Sequence, residues 1–236
     1  MPTWLNALLY ALAPTVAVPA GVAVIAWLPP GPVLRSVLLH FATGGLIAVV
    51  AVELLGEIER RSPYAVVVGI GTGTVFMVGL DYVTRELERR GGRGSAGVLA
   101  VVAVDFALDG LLLGVALQHD HALGVVLTIA LTLEDLVTGI SVATTLQRSL
   151  GAGPVVTRMA IVAGGLPVGA VAGALIGSTL SGPLYTGVLA FAAVALLFLA
   201  LEELLREAHE RDERPPVTAT LFLGLLTFLL LEQLVG

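Results

Sequence analysis

Apolar residues run through this chain in blocks rather than in short alternating patterns. Stretches of about 20 mostly apolar residues, enough to cross a bilayer as a helix, recur between polar breaks. They cover residues 4–28, 36–56, 63–83, 95–117, 122–146, 155–180, 184–205 and 217–235. Pro29-Pro30-Gly31-Pro32 ends the first block, and a charged run from Arg85 to Arg93 ends the third. Gln118-His119-Asp120-His121 makes a short polar turn between the fourth and fifth. Ser181-Gly182-Pro183 follows the sixth, and a charged stretch closing in Arg214-Pro215-Pro216 follows the seventh. The pattern predicts an all-α polytopic bundle of eight transmembrane helices. No loop is long enough for a soluble domain, so residues 1–236 are expected to form a single transmembrane domain. The first block has no basic segment before it and is read as a retained helix rather than a cleaved signal.

Composition agrees. The chain is 57% hydrophobic and 13% charged, with a mean hydropathy of +0.97, whereas soluble domains carry about 25% charged residues. There is no cysteine, which excludes disulfides and thiolate metal sites. There is no lysine, so every fixed positive charge is an arginine. The net charge of −6 argues against nucleic acid as a partner. Membrane lipid is the expected surrounding.

Arginine placement sets an orientation. Ten of the twelve arginines fall after the first, third, fifth and seventh blocks, counting Arg158, near the start of the sixth block, with the loop before it; Arg60 and Arg61, after the second, are the others. The positive-inside rule then puts both termini outside the cell membrane. No arginine is expected inside a span.

An internal repeat is also present. Phe41-Ala42 precedes Glu53-Leu54-Leu55 and Glu57 at the same spacing at which Phe191-Ala192 precedes Glu203-Leu204-Leu205 and Glu207. The copies lie in the second and seventh blocks, whose predicted directions are opposite. That predicts an inverted repeat, with spans one to three and six to eight arranged around spans four and five, a recurring construction of secondary transporters. Gly165, Gly169, Gly173 and Gly177 line one face of the sixth span, which suits close packing inside the bundle or a homodimer seam. Gly69, Gly71 and Gly73 suit packing or bending of the third.

The chemistry concentrates in spans four and five. Asp105 and Asp109 are four apart and share a helix face. Glu134 and Asp135 lie in the next span, followed by Thr138 at the helical spacing from Glu134. A charged aspartate at a helix centre costs about 3 kcal/mol on insertion scales, and buried charges need partners. With no arginine in reach, the available compensation is water, protons or a bound cation. Four acids on neighbouring helices therefore point to a cation path, against the alternative of protonated carboxyls bonding between helices. Glu53 and Glu57 in span two, and Glu202 and Glu203 in span seven, are candidates for the mouth and exit of that path, or are interfacial carboxylates reaching water. His40 is a candidate ligand or proton relay, or a hydrogen-bonded packing histidine. His119 and His121 read as polar turn residues, and Glu232 as solvated.

The motifs of these spans resemble those of the ZIP family of divalent-metal transporters. Asp105-Phe106-Ala107-Leu108-Asp109-Gly110 is similar to that family's His-Asn-x-Pro-Asp/Glu-Gly motif. Glu134-Asp135-Leu136-Val137-Thr138-Gly139 is similar to its His-Glu-Ile-Pro-Glu-Gly motif. Leu54-Leu55-Gly56-Glu57 resembles the end of its second helix, and Glu203-Leu204-Leu205-Arg206-Glu207-Ala208-His209 the end of its seventh. The resemblance implies metal ligation by Asp105, Asp109, Glu134, Asp135 and Thr138, a divalent cation as substrate, and no cofactor. Departures are pointed: acids replace both motif histidines, Leu108 and Val137 replace both prolines, and Phe106, Thr138 and Leu166 occupy second-metal positions. One metal per subunit is the expectation, with Mn²⁺, Fe²⁺ or Mg²⁺ favoured over strict zinc selectivity, since the ligands are oxygens.

The functional expectation is a secondary transporter, not an enzyme, and no phosphate-binding Gly-x-x-x-x-Gly-Lys motif is present. A non-transporting sensor or scaffold derived from a transporter is the alternative. An intramembrane aspartyl hydrolase, suggested faintly by Gly79-Leu80-Asp81-Tyr82, is a further one; there Asp81 is expected at a helix end.

Overall fold

A computed structural model describes residues 2–27, 31–58, 61–89, 95–150, 152–209 and 215–235. Eight helices in it are long and apolar enough to span a membrane. They are α1 (Thr3–Trp27), α2 (from Pro32 to Ile58), α3 (Pro63–Arg89), α4 (Ser95–His119), α5 (His121–Leu150), α6 (from Ala152 to Gly177, with a turn at Gly164), α7 (from Gly182 to His209) and α8 (Pro215–Val235). The proline-rich and glycine-rich breaks fall where the apolar blocks end. Pro32 occupies the first turn of α2, where its missing N–H costs nothing. Gly182 opens α7 with φ 52°, a conformation that disfavours a side chain.

Three charged positions differ from the sequence reading. The start of α2 lies earlier, at Pro32, so Arg35 is a buried helical residue rather than a loop residue. Arg158 also lies within a helix, on an exposed face of α6. The expectation of arginine-free spans is therefore wrong, and in the case of Arg35 the compensating partner is an acid, Glu207. Asp81 is not at a helix end either: α3 continues to Arg89, and Asp81 pairs with Arg85 one turn on, at 2.7 Å.

Two compact units are present: Met1–Pro29, Val75–Gly124 and Leu131–Thr179 form the first, and Pro30–Thr74, Val125–Ala130 and Leu180–Gly236 form the second. In the first, backbone meets backbone at glycine. A Cβ on Gly110 would collide with the Leu166 carbonyl, and one on Gly114 with that of Ala170; from the other side, Gly169 and Gly173 face the backbone of Ala107 and Leu111. The glycine stripe of α6 is thus a packing seam against α4. Helices α1 and α5 meet the same way, through Gly21 against Leu136 and Gly139 against Val18. Val18-Pro19-x-Gly21 and Leu166-Pro167-x-Gly169 are the same motif twice, so α1 sits on α5 as α6 sits on α4.

The second unit repeats the device. Ser36 Oγ donates to the Ala208 carbonyl at 3.0 Å, joining the start of α2 to the end of α7, so these helices run antiparallel. At the other end Arg61 stacks over Tyr185, 5.0 Å from the ring centroid, and pairs with Glu57. Positions 35 and 185 correspond in the repeat, as do 207 and 57, so both ends tie the same two positions together. Thr220 donates to the Val37 carbonyl at 3.3 Å and Gly224 rests on Phe41. Correspondingly, Gly69 rests on Gly187 and Gly73 on Phe191. Gly71 faces open space. The inverted repeat read from Phe-Ala and Glu-Leu-Leu extends through the neighbouring helices. Each copy also carries a π-helical segment at its repeated glutamate, Val49–Leu54 and Leu199–Leu205.

Candidate metal centre

The acidic motifs of α4 and α5 come together inside the first unit. One turn of α4 separates Asp105 from Asp109, and Gly110 draws that turn against α6. On α5, Gly139 does the same against α1, fixing Glu134 and Asp135 one turn earlier. Asp109 is 5% exposed; Glu134 and Asp135 are fully buried. Asp109, Glu134 and Asp135 each offer a carboxylate oxygen, and these atoms all lie within 4.8 Å of one another. Oxygens on opposite sides of a Mg²⁺-sized ion are about 4.2 Å apart, so a cation fits with little side-chain movement.

Thr138 Oγ1 donates to Glu134 Oε1 at 2.9 Å. Asp135 accepts no hydrogen bond from the described residues. It lies in the field of Glu134, Asp109 and Asp105. At an effective dielectric near 20, two full charges at this spacing repel by about 3 kcal/mol. A divalent ion would turn that repulsion into attraction.

Four of the five expected ligands therefore assemble: Asp109, Glu134 and Asp135 as the group, with Thr138 hydrogen-bonded to it. Asp105 is half-buried and one turn away, close enough to act on Asp135 electrostatically. Phe106 and Leu166 are fully buried and apolar. The remaining candidates belong to the second unit. Glu53 is half-buried and Glu203 exposed, both within the π-helical segments, and Glu202 is exposed beside Glu203. Glu57 is engaged by Arg61. His40 is fully buried beside His209, with ring centroids 5.3 Å apart. His119 and His121 are exposed at their turn, where the Tyr10 hydroxyl meets His121 Nε2 at 3.2 Å. Arg35 with Glu207, and Arg61 with Tyr185, escaped the sequence reading. Only the repeat offset, applied to residues 35 and 185, would have paired those positions.

Eight spanning helices with a buried carboxylate group define a multi-pass membrane protein. No family model and no curated protein matches the chain.

Proposed function

We propose that this protein is a secondary transporter of divalent metal cations and that Asp109, Glu134 and Asp135 hold the cation in transit. The observation that carries the reading is the convergence of three buried carboxylates within 4.8 Å on helices of spanning length. Such a group is costly to keep in an apolar setting, and a divalent cation is the partner that balances it. The inverted repeat supports the reading, because opposed repeats recur in secondary transporters. So does the motif resemblance to the ZIP family, of which this chain would be a divergent member. Thr138 would orient Glu134, and Asp105 would add to the field that draws the cation in. The reading makes the protein a transporter rather than an enzyme, in the cell membrane, with both termini outside on the arginine bias.

Uptake of Mn²⁺ into proteoliposomes is the test. Protein-dependent uptake should disappear in Asp109→Asn and Glu134→Gln and persist in Glu232→Gln. Folded protein that gives no uptake above protein-free vesicles, with Mn²⁺, Fe²⁺, Mg²⁺ or Zn²⁺, would overturn the proposal. For the topology, an engineered cysteine beside Arg90 should be labelled from the inside face alone.

A further inference from the structure

The second unit contains a pair of imidazoles with the same chemical preparation. His40 lies on α2 and is fully buried. Its Nδ1 sits 2.8 Å from the Ser36 carbonyl oxygen, and a carbonyl can only accept, so Nδ1 carries the proton. Ser36 Oγ, 3.3 Å from the same nitrogen, donates its own proton to the Ala208 carbonyl and accepts from His40. His209, on the last turn of α7, repeats the arrangement: its Nδ1 is 2.8 Å from the Leu205 carbonyl oxygen. The neutral form of each ring therefore carries its lone pair on Nε2. His40 Nε2 is buried and has no hydrogen-bond partner among the described residues.

We infer that His40 and His209 form a two-imidazole site for a borderline divalent transition-metal cation, in the class of Zn²⁺, Cu²⁺, Ni²⁺ or Co²⁺. A metal-binding histidine characteristically donates its other ring N–H to a backbone carbonyl or carboxylate, which fixes the tautomer and the ring orientation. Both rings already have that support. Their spacing fits as well. Two imidazoles sharing a tetrahedral ion through nitrogens about 2.05 Å away place their centroids about 5.2 Å apart; here the centroids are 5.3 Å apart. The exposed ring of His209 gives water and ions access, and water would complete the coordination. The nearest fixed positive charge on α2, Arg35, is neutralised by its ion pair with Glu207. Imidazole nitrogen selects borderline cations over Mg²⁺ or Ca²⁺, so this site differs in kind from the oxygen-only group of α4 and α5. It does not rest on the transport reading.

The test uses full-length protein carrying Asp109→Asn and Glu134→Gln, which disarms the carboxylate group, in detergent with one equivalent of Cu²⁺. Pulsed paramagnetic resonance should detect two coordinated imidazoles. In the same background His209→Asn, on the exposed ring, should leave at most one, and His40→Asn likewise. A hundredfold excess of Zn²⁺ should compete with the Cu²⁺ and reduce its two-imidazole signal, and the same excess of Mg²⁺ should leave it intact. If His40→Asn does not fold, His209→Asn alone decides the matter. A spectrum without imidazole nitrogen, or one unchanged by His209→Asn, overturns the assignment and leaves His40 as a packing histidine. Adding His119→Asn and His121→Asn should leave the two-imidazole signal intact; its loss there would place the copper at the exposed turn and overturn the assignment too.

Discussion

Thr138 Oγ1 donates to Glu134 Oε1 across one turn of the same helix, at 2.9 Å. The bond holds a fully buried carboxylate in one rotamer and uses one of its oxygens. Thr138→Val keeps the shape and removes the donor. Leaving a buried acceptor unsatisfied costs about 1–3 kcal/mol, and losing a supporting contact to a metal ligand typically costs 10–100-fold in affinity. We expect Thr138→Val to weaken Mn²⁺ binding about tenfold while the protein still folds, and Thr138→Ser to restore it. Calorimetric titration checks both. Unchanged affinity in Thr138→Val would remove Thr138 from the site.

Asp135 gives the opposite sign for stability and binding. Its carboxyl is fully buried beside two other acids. Asp135→Asn keeps the size and removes one charge, relieving repulsions of about 3 kcal/mol per fully charged pair. The metal-free variant should therefore melt several degrees above wild type in the presence of a chelator. Mn²⁺ should raise the melting temperature of wild type, and the variant should lose that shift. Melting curves with and without metal measure both effects together. A variant that melts lower in chelator and still responds to Mn²⁺ would make Asp135 a structural group.

Helix contact should be equally specific. A methyl on Gly114 would meet the Ala170 carbonyl and come within 2.6 Å of the Ala174 nitrogen. Overpacking of that kind costs about 1–3 kcal/mol. Gly71 faces open space on α3, and alanine there gains up to about 1 kcal/mol of helix propensity. Gly114→Ala should lower the melting temperature by several degrees, and Gly71→Ala should leave it unchanged or raise it. Equal effects in the two variants would contradict the packing described.

Those glycines also mark how far the sequence could be read. Eight spans were legible, because apolar blocks of spanning length have few other uses. Asp109, Glu134 and Asp135 were legible as a group because a very short turn joins their two helices. The repeat was legible at Phe41 and Phe191, where distinctive residues recur. It was missed at Val18-Pro19-x-Gly21 and Leu166-Pro167-x-Gly169, since small apolar residues are common in every span and carry little information. The Arg35–Glu207 pair was not legible: the residues are 172 positions apart, and Arg35 sits where a loop was expected. Nor were the π-helical turns at Glu53 and Glu203, because no residue type marks a π turn as proline marks a kink.

Metal preference follows from the donor set. Asp109, Glu134 and Asp135 supply oxygen and nothing else, and the neighbouring Phe106 and Leu166 offer no donor. Hard cations suit carboxylate and water, whereas zinc selectivity usually draws on histidine and cysteine. Zinc nonetheless stands high in intrinsic affinity for any oxygen site, so it should compete with Mn²⁺ rather than be excluded. One ion is the expectation, since on the resemblance to the ZIP family Phe106 and Leu166 stand where a second set of ligands would be needed. Titration of a His40→Asn, His209→Asn variant, which isolates the carboxylate group, should therefore show one cation per chain. Mn²⁺ should bind within about tenfold of Zn²⁺, and Mg²⁺ more weakly but measurably. Glu134→Gln should abolish all three. Two adjacent anomalous-scattering peaks between α4 and α5, or zinc binding far tighter than manganese and indifferent to Glu134→Gln, would mean that the cation is held by other ligands.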